Sequence, residues 1–184
     1  WLEAATTAVR ECAAALEDCT VQAIAFSGNM SSPVFLDAAR RPVYRCMLVG
    51  DARCAQQAKE LTRAFAEEFR SASGNIPDAC FVAAKLLWFR ENCPEAYART
   101  TQFVFAKDYL RYQFTGVLNT EPTDAGNTLL YDVQTADWNW ALIERIGLRK
   151  DIFPLLLPST AQAGALLPEI AQKCGLPVGI PVFC

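Results

Sequence analysis

The sequence predicts a mixed α/β domain. Short apolar runs near its start are typical of buried strands, and most of the remaining chain shows the three- and four-residue spacing of amphipathic helices. Gly and Pro residues separate these segments where helices end or begin. At 184 residues the length fits one domain or one domain with an extension, and we expect a single domain over residues 1–184.

The first part of the chain is predicted to hold a helix, three strands and two further helices. Residues 1–18 place apolar side chains on one face and predict a helix, and Val21–Phe26 predicts a buried strand. The runs Pro33–Asp37 and Val43–Val49 predict a hairpin with a tight turn between them. The two helices that follow are expected at Asp51–Arg70 and Ala79–Glu91.

The second part of the chain is predicted to be mainly helical. Pro94 can open a short helix at its first turn, and Gly116, Gly147 and Gly175 are placed to end later ones. The other predicted elements are a strand at Gln102–Ala106, helices at Asp108–Phe114, Asp137–Ile146 and Leu167–Cys174, and an extended segment at Val178–Cys184.

Composition excludes several classes of function. The net charge is −3 and no basic stripe is present, which argues against a nucleic-acid partner. No apolar run approaches the ~20 residues that cross a bilayer, so no membrane partner is expected. Histidine is absent, so a Ser-His-Asp or Cys-His nucleophile cannot be built from these residues. A general base would have to be Asp, Glu, Lys or Tyr.

The eight cysteines include no CxxC pair. Without histidine, a zinc site would need widely separated thiolates alone. We therefore favour reduced thiols that act as small core residues, over a disulfide framework or a metal site, and this predicts a cytoplasmic protein. The residues concerned are Cys12, Cys19, Cys46, Cys54, Cys80, Cys93, Cys174 and Cys184.

Six segments in this order resemble the amino-terminal domain of FGGY-type carbohydrate kinases, most closely the xylulokinase-like branch. They are AIAFSGNMSSPVFLD, LVGDARCAQ, AAKLLWFRENCPEAYART, FAKDYLRYQFTG, TDAGNTLLYDVQTADW and GLPVGIPVF. The resemblance implies a ribonuclease-H-like, actin-like ATPase fold, in which two domains close on a sugar and ATP. It also implies transfer of the γ-phosphoryl group to a sugar hydroxyl.

The same resemblance implies that this chain is an incomplete kinase. In the family, a strand and glycine-containing turn for phosphate and metal precede the first helix, and a Gly-Gly-Gly-Asp-like turn carrying the general base follows the strand that ends near Cys184. We expect the parent enzyme to use ATP and Mg²⁺, and this chain alone to be inactive and to bind neither tightly. The expected partners are a small-molecule sugar and a carboxy-terminal domain, and the composition is compatible with an oligomer.

The resemblance also assigns candidate sugar contacts. Relatives usually carry Gln-Met-His where this chain has Asn29, Met30 and Ser31, and a tryptophan where it has Val49, which leaves the identity of the sugar open. The alternative for the first three is an ordinary polar loop. For Asp51 the alternative is a favourable charge at a helix start, with a solvated Arg53. The full set of candidates is Asn29, Met30, Ser31, Asp51, Arg53, Cys80 and Phe81.

Other polar residues in the matching segments are interpreted as structural. A lone lysine on a helix, such as Lys85, is usually at the surface. Asp108 can cap its helix, and Arg111 can pair with Glu121 or Asp124. A loop-ordering network of hydrogen bonds is expected for the turn that follows. The remaining residues in this group are Lys107, Tyr109, Thr123, Thr128 and Asp132, with Trp138 and Trp140 as core or interface aromatics.

Three functions remain open at this point. The main hypothesis is ATP-dependent phosphorylation of a ketopentose or related carbohydrate by a longer kinase that contains this chain. The second is a non-catalytic sugar-binding or scaffold module derived from the kinase fold, motivated by the departures at Ser31 and Val49. The third is a kinase lineage that has lost activity.

Overall fold

The computed structural model describes all 184 residues and confirms the mixed α/β class. A helix is present in each predicted helical region, with one further short helix, α6. The helices are α1 (Leu2–Ala14), α2 (Ala55–Ser73), α3 (Val82–Asn92), α4 (Pro94–Arg99), α5 (Ala106–Thr115), α6 (Pro122–Gly126), α7 (Trp140–Arg145) and α8 (Pro168–Cys174), with a 3₁₀ turn at Lys150–Ile152. The strands are β1 (Ile24–Ala25), β2 (Pro33–Leu36), β3 (Gln102–Phe105), β4 (Tyr131–Asp132), β5 (Asp137–Trp138), β6 (Gln162–Ala165) and β7 (Pro181–Phe183).

The strands form three small sheets. The first has the order β1-β7-β6, in which β1 runs parallel to β7 and β6 runs antiparallel to it. Because parallel strands end at the same edge of a sheet, the segments that follow β1 and β7 begin side by side. The other two sheets are the antiparallel pairs β2-β3 and β4-β5.

The predicted hairpin between Pro33–Asp37 and Val43–Val49 is confirmed only next to its turn, where Leu36 and Pro42 form an isolated antiparallel bridge. Strand β2 pairs with β3, and Val43–Val49 forms no strand, although the Val43 N–H does donate to the Phe35 carbonyl at 2.9 Å. All four residues of β2 are buried, and β3 brings the buried residues Phe103, Val104 and Phe105 against them. Beyond Val43 the chain is only partly buried and includes the exposed Arg45, so the hairpin pairing does not extend further.

The predicted helix at Asp137–Ile146 begins three residues later than expected. Asp137 and Trp138 form β5, and Asn139 then caps α7, its Oδ1 accepting from the Leu142 N–H at 3.0 Å. An Asn side chain satisfies a free amide at a helix start, so the helix begins after it. The expected glycine ends are confirmed, with Gly116, Gly147 and Gly175 all in left-handed conformation.

Most buried apolar side chains belong to two cores. The larger packs α2 and α3 on the β2-β3 pair, and its centre includes Phe35 stacked on Phe89 with ring centroids 3.9 Å apart. The smaller joins α1, α5 and α8 to β7, around Phe114 and Val182. None of the helices is both long and apolar enough to cross a bilayer.

All eight cysteines are free thiols. Cys54 and Cys174 are buried as expected, but Cys12 and Cys19 are exposed, so a core role is wrong for those two. The exposed pair lies at the end of α1 and just beyond it, where the predicted apolar face no longer meets the core.

Candidate functional site

A groove lies between the segment that follows β1 and the segment that precedes α2. We call it the loop groove. It comprises an open cavity of ≈ 620 Å³ and a smaller adjoining cavity lined by Cys80, and the two share Val49–Ala52 as lining. The groove therefore brings together candidates from three separate parts of the sequence. Its lining includes Asn29, Cys46, Leu48, Val49, Asp51, Arg53, Asp78 and Cys80.

An ion pair forms one wall of the loop groove. The Arg53 Nε donates to Asp51 Oδ1 at 2.8 Å, and Arg53 also donates to the Tyr44 hydroxyl at 3.1 Å. Its guanidinium lies 5.0 Å from the centre of the Trp88 ring. The hydrogen bond from Arg53 holds the pKa of Asp51 below its usual value, so this carboxylate stays ionised.

The alternative interpretation of this pair is met in part: Arg53 is exposed, but Asp51 does not lie in the helix. Helix α2 begins at Ala55 with Cys54 at its cap, so Asp51 lies before the helix rather than in its first turn. Arg53 is partly exposed but has two polar partners and an aromatic ring beside it. The pair is ordered, and each side chain keeps some surface toward the groove.

The loop after β1 separates its three candidates. Asn29 lines the groove, and its Oδ1 accepts a short hydrogen bond from Ser32. Met30 is 56% exposed and lines a different pocket. Ser31 is 1% exposed and adopts a left-handed backbone with φ of +53°. Within this loop, the side chain that faces the groove is therefore Asn29.

The last two candidates also differ in position. Cys80 lines the smaller end of the loop groove, and burial raises the pKa of its thiol, which favours the neutral form. Phe81 is partly buried and packs against the larger core at the start of α3. The structure thus brings Asn29, Asp51, Arg53 and Cys80 to one groove and places Phe81 behind it.

Lys85 lies inside the molecule, so the expectation of a surface lysine is wrong. The residue is 0% exposed, and its Nζ donates to the Ser31 carbonyl at 2.7 Å and to the Leu48 carbonyl at 2.8 Å. The neighbouring sequence could have indicated this, because Val82–Leu87 is apolar apart from Lys85, and a helix that is apolar all round is buried.

A second pocket, of ≈ 270 Å³, lies where the segments after β1 and β7 meet. We call it the Lys107 pocket. Lys107 Nζ lies 2.8 Å from Asp108 Oδ1, 3.2 Å from Glu121 Oε1 and 3.1 Å from Asp124 Oδ2. One ammonium is thus shared by three buried carboxylates. The pocket is also lined by Phe26, Ser27, Gly28, Met30, Thr123, Asn127, Ser159 and Cys184.

The residues expected to be structural around this pocket do form ion pairs and hydrogen bonds, but with other partners than expected. Arg111 pairs with Asp108, at 3.0 Å, and not with Glu121 or Asp124, which belong to Lys107. Asp108 makes no helix-capping hydrogen bond. The capping side chain in this region is that of Glu121, and it caps a different helix, α6, by accepting from the backbone amides of its first turn.

The expected loop network is present in the turn that contains α6. Thr128 donates to the Ala125 carbonyl at 2.6 Å and accepts from the Leu130 N–H at 2.9 Å. Asp132 accepts from the Gln134 N–H at 2.8 Å. Trp138 is buried, whereas Trp140 is 37% exposed and stacks edge-on against Phe153.

The carboxylates of the Lys107 pocket differ in their proton affinity. Burial raises the pKa of Asp124 to about 6, despite the nearby Lys107. Burial also acts on Glu121, but hydrogen bonds from Ser159 and Thr123, with the Lys107 charge, lower its pKa to about 2. Glu121 accepts from several donors, whereas Asp124 has only the shared ammonium. Asp124 therefore binds a proton more readily than Glu121.

Two further features limit the location of a ligand. A separate cavity of ≈ 370 Å³ beside α1 and α5 is mostly apolar, and its lining offers few groups that could hold a polyol. No three Cys, Asp or Glu side chains are arranged to hold a metal ion. The loop groove offers more polar groups than this apolar cavity and is the better candidate of these two for a sugar.

Comparison with known proteins matches the whole chain to one family. Residues 1–184 match the model of the N-terminal domain of the FGGY family of carbohydrate kinases. A xylulose kinase of Lactococcus lactis is 35% identical over 160 residues, which is 87% of this chain and 32% of that protein. A xylulose kinase of Bacillus subtilis is 35% identical over 156 residues, or 85% of this chain and 31% of that protein.

A solved structure supports the same assignment at the level of fold. The structure of xylulose kinase from Rhodospirillum rubrum superposes on the whole chain with a TM-score of 0.92 at 22% identity, and this chain covers 38% of it. The chain thus spans about a third of the length of the relatives it matches.

Proposed function

Because the chain belongs to the FGGY family of carbohydrate kinases, we propose that it supplies the sugar-binding part of a kinase that phosphorylates a carbohydrate with ATP. The observation that supports this most strongly is the loop groove. It gathers Asn29, Asp51, Arg53 and Cys80 from separate segments of the sequence around two adjoining cavities that share Asp51. These are residues that the family resemblance assigns to sugar contact.

The chemistry of the groove suits a polyol. Sugar hydroxyls both donate and accept, and here Asp51 offers an acceptor, Arg53 a donor and Asn29 both. Leu48, which is 53% exposed at the groove, provides an apolar surface for the C–H face of a sugar. Convergent polar groups beside an apolar wall are the usual composition of a small-molecule site.

A ketopentose is the substrate class we propose. Several relatives with similar sequences are named xylulose kinase, which supports a five-carbon ketose. Ser31 and Val49 depart from the residues usual in that branch, so a related carbohydrate is included in the proposal. Val49 leaves more room at the groove than a tryptophan would, and this favours a substrate or binding pose that fills the added space.

In the proposed reaction, a sugar hydroxyl oxygen bonds to the γ-phosphorus of ATP. The bond from that phosphorus to the β,γ-bridging oxygen breaks, ADP leaves, and the hydroxyl proton passes to a general base. Mg²⁺ would neutralise charge on the phosphates, and residues beyond the chain described here would hold it. This chain's contribution is to bind and orient the sugar, which by itself removes much of the entropic barrier.

The position of the general base can be proposed from the strands. Asp51 is a poor base, because Arg53 lowers its pKa. Strand β7 ends next to Cys184, which lines the Lys107 pocket beside Met30. Residues that follow β7 in a longer kinase would therefore begin beside the Lys107 pocket, and we propose that they supply the base. A cytoplasmic location, consistent with eight free thiols, is part of the same proposal.

The test is a sugar panel with ATP and Mg²⁺, using the full-length protein that contains this chain. We expect phosphorylation of at least one ketopentose, such as D-xylulose. Asp51→Asn should raise the sugar KM by about tenfold or more, because a charged hydrogen bond to substrate is lost. Asp151→Asn is the matched control: Asp151 also pairs with an arginine two residues away, Arg149, but lines neither part of the groove.

Two outcomes would contradict the proposal. Absence of phosphorylation across the panel, with sugar-dependent thermal stabilisation retained, would favour the non-catalytic sugar-binding module. Equal KM values for Asp51→Asn and Asp151→Asn would remove the loop groove from sugar binding, even if the protein is a kinase.

A further inference from the structure

We infer that Lys85 is a positioning residue that holds both sugar-facing loops of the groove in their binding geometry. This inference rests on the proposed function and goes beyond it, because Lys85 lines no part of the groove itself. Its role would be to order the residues that touch the sugar rather than to touch it.

The geometry links one cation to two distant segments. Lys85 lies on α3, and its ammonium donates to the Ser31 carbonyl at 2.7 Å and to the Leu48 carbonyl at 2.8 Å. The first carbonyl belongs to the loop with Asn29, and the second to the segment that leads to Asp51. A single side chain thus fixes the two walls of the groove relative to each other.

The Leu48 carbonyl transmits this constraint to the ion pair. It accepts from the Asp51 N–H at 3.0 Å as well as from Lys85. Asp51 Oδ1 in turn accepts from the Arg53 side chain and, at 3.2 Å, from the Arg53 backbone N–H. The positions of Asp51 and Arg53 therefore depend on a carbonyl that Lys85 holds.

The other loop needs an external contact to keep its shape. Ser31 is a non-glycine residue with φ of +53°, a conformation that persists only where surrounding contacts impose it. One such contact is the hydrogen bond from Lys85 to its carbonyl. Without it, the loop could relax toward a more common backbone conformation, and Asn29 two residues earlier would move with it.

Nothing in the surroundings of Lys85 suggests a role in an ordinary ion pair. The residue is 0% exposed, and no carboxylate lies within salt-bridge distance of it. Burial lowers the pKa of its ammonium, because a charged group is less stable inside the protein than in water. A methionine would fill the same volume of core without that cost, so the charge is better explained by the two carbonyls it orders.

The test compares Lys85→Met and Lys85→Arg with the wild type in the full-length protein. Lys85→Met keeps the length of the side chain and removes the donors, whereas Lys85→Arg keeps a cation with donors. The matched control is Arg149→Met. Arg149 donates to the backbone carbonyls of Tyr97, Ala98 and Thr100, and its partners include no residue of the groove.

Hydrogen–deuterium exchange provides a readout that needs no activity. In Lys85→Met, we expect exchange in residues 29–32 and 48–53 to accelerate at least tenfold more than exchange in α4 and α8. Lys85→Arg should restore part of the protection. In Arg149→Met, faster exchange should instead centre on residues 97–101.

Kinetics with D-xylulose and ATP provide the second readout. Lys85→Met should raise the KM for D-xylulose by tenfold or more and leave the KM for ATP within about twofold. Arg149→Met should alter neither. If the wild type phosphorylates no sugar, the proposed function fails, but the exchange experiment still decides whether Lys85 orders the loops.

The inference is overturned by unchanged exchange in both loops of Lys85→Met, or by exchange that accelerates evenly throughout the chain. It is also overturned if Lys85→Met and Lys85→Arg both fail to fold while Arg149→Met folds. Lys85 would then stabilise the whole domain rather than order the sugar-facing loops.

Discussion

Two buried lysines in this chain are held in opposite ways. Lys107 is surrounded by the carboxylates of Asp108, Glu121 and Asp124, whereas Lys85 is bound by two neutral backbone carbonyls. A lysine among carboxylates neutralises charge that would otherwise be buried alone. A lysine among carbonyls orders the backbone that carries them. The same residue type therefore stabilises one pocket and shapes the other.

The difference predicts which substitutions affect stability and which affect binding. Changes at the Lys107 pocket should act on the free energy of unfolding, because they leave buried charges without partners. Changes at the loop groove should act mainly on sugar affinity, because Asp51 and Arg53 keep contact with solvent. Lys85 lies between these cases, since it is fully buried but acts on the groove.

The largest effect is expected for Lys107→Met. Removing the ammonium leaves three carboxylates buried against one remaining cation, Arg111, and should cost about 3–5 kcal/mol of unfolding free energy. Urea denaturation at pH 7 measures this. The control is Lys150→Met, which breaks the exposed pair with Glu144 and should leave the urea midpoint unchanged. Equal losses of unfolding free energy in Lys107→Met and Lys150→Met would contradict a stabilising role of the buried ion cluster.

Lys85→Met should destabilise the protein less than Lys107→Met. The Ser31 carbonyl loses its bond to Lys85 and the Leu48 carbonyl keeps the Asp51 N–H, while no charge is left unpaired, so we expect a loss of about 2–3 kcal/mol. The same urea series measures it. A loss greater than that of Lys107→Met would show that Lys85 contributes more to the stability of the domain than the ion cluster does.

The pH dependence of stability should report Asp124. Burial raises its folded-state pKa to about 6, so the stability it contributes is fully present below its ordinary pKa of 3.8 and is lost as pH rises toward 6. Between pH 4.5 and 7 the wild type should lose about 2 kcal/mol relative to Asp124→Asn. The lowered pKa of Glu121 acts in the opposite direction, but only below pH 4.5.

Urea denaturation of both proteins at several pH values makes this measurement. Parallel stability curves for the wild type and Asp124→Asn over that range would show that Asp124 is an ordinary ionised carboxylate. In that case Lys107 would stabilise the ionised form of all three neighbouring carboxylates.

The smallest effect on stability is expected for the groove ion pair. Arg53→Met breaks a partly exposed pair and should change the unfolding free energy by less than about 1 kcal/mol. Its effect on sugar KM should nevertheless exceed that of Lys150→Met. A large loss of stability with unchanged sugar KM would identify the pair as structural.

Local sequence patterns predicted where helices and strands lie better than they predicted which strands pair. Helix ends at Gly116 and Gly175 follow from backbone conformation, which is a local property. The pairing of β2 with β3 is not local, because the paired residues Phe35 and Phe103 lie far apart in the sequence. Nothing in the run from Val43 to Val49 shows that a more apolar partner exists elsewhere in the chain.

The candidate site was predicted in part. Resemblance to the family selected Asn29, Asp51, Arg53 and Cys80, and the structure brings these four to one groove. The surface position expected for Lys85 was wrong, because its partners are backbone carbonyls, which carry no sequence signal. The partners of Lys107 were visible as acidic residues, but which cation would reach them depended on the direction of α5.

Sugar-dependent exchange in the full-length protein tests the central claim most directly. Hydrogen–deuterium exchange would be compared with and without saturating D-xylulose, or another sugar that the panel identifies as a substrate. The account predicts slower exchange in residues 29–32 and 48–53, with α8 unchanged. A sugar that is phosphorylated without protecting either segment would contradict the assignment of the loop groove.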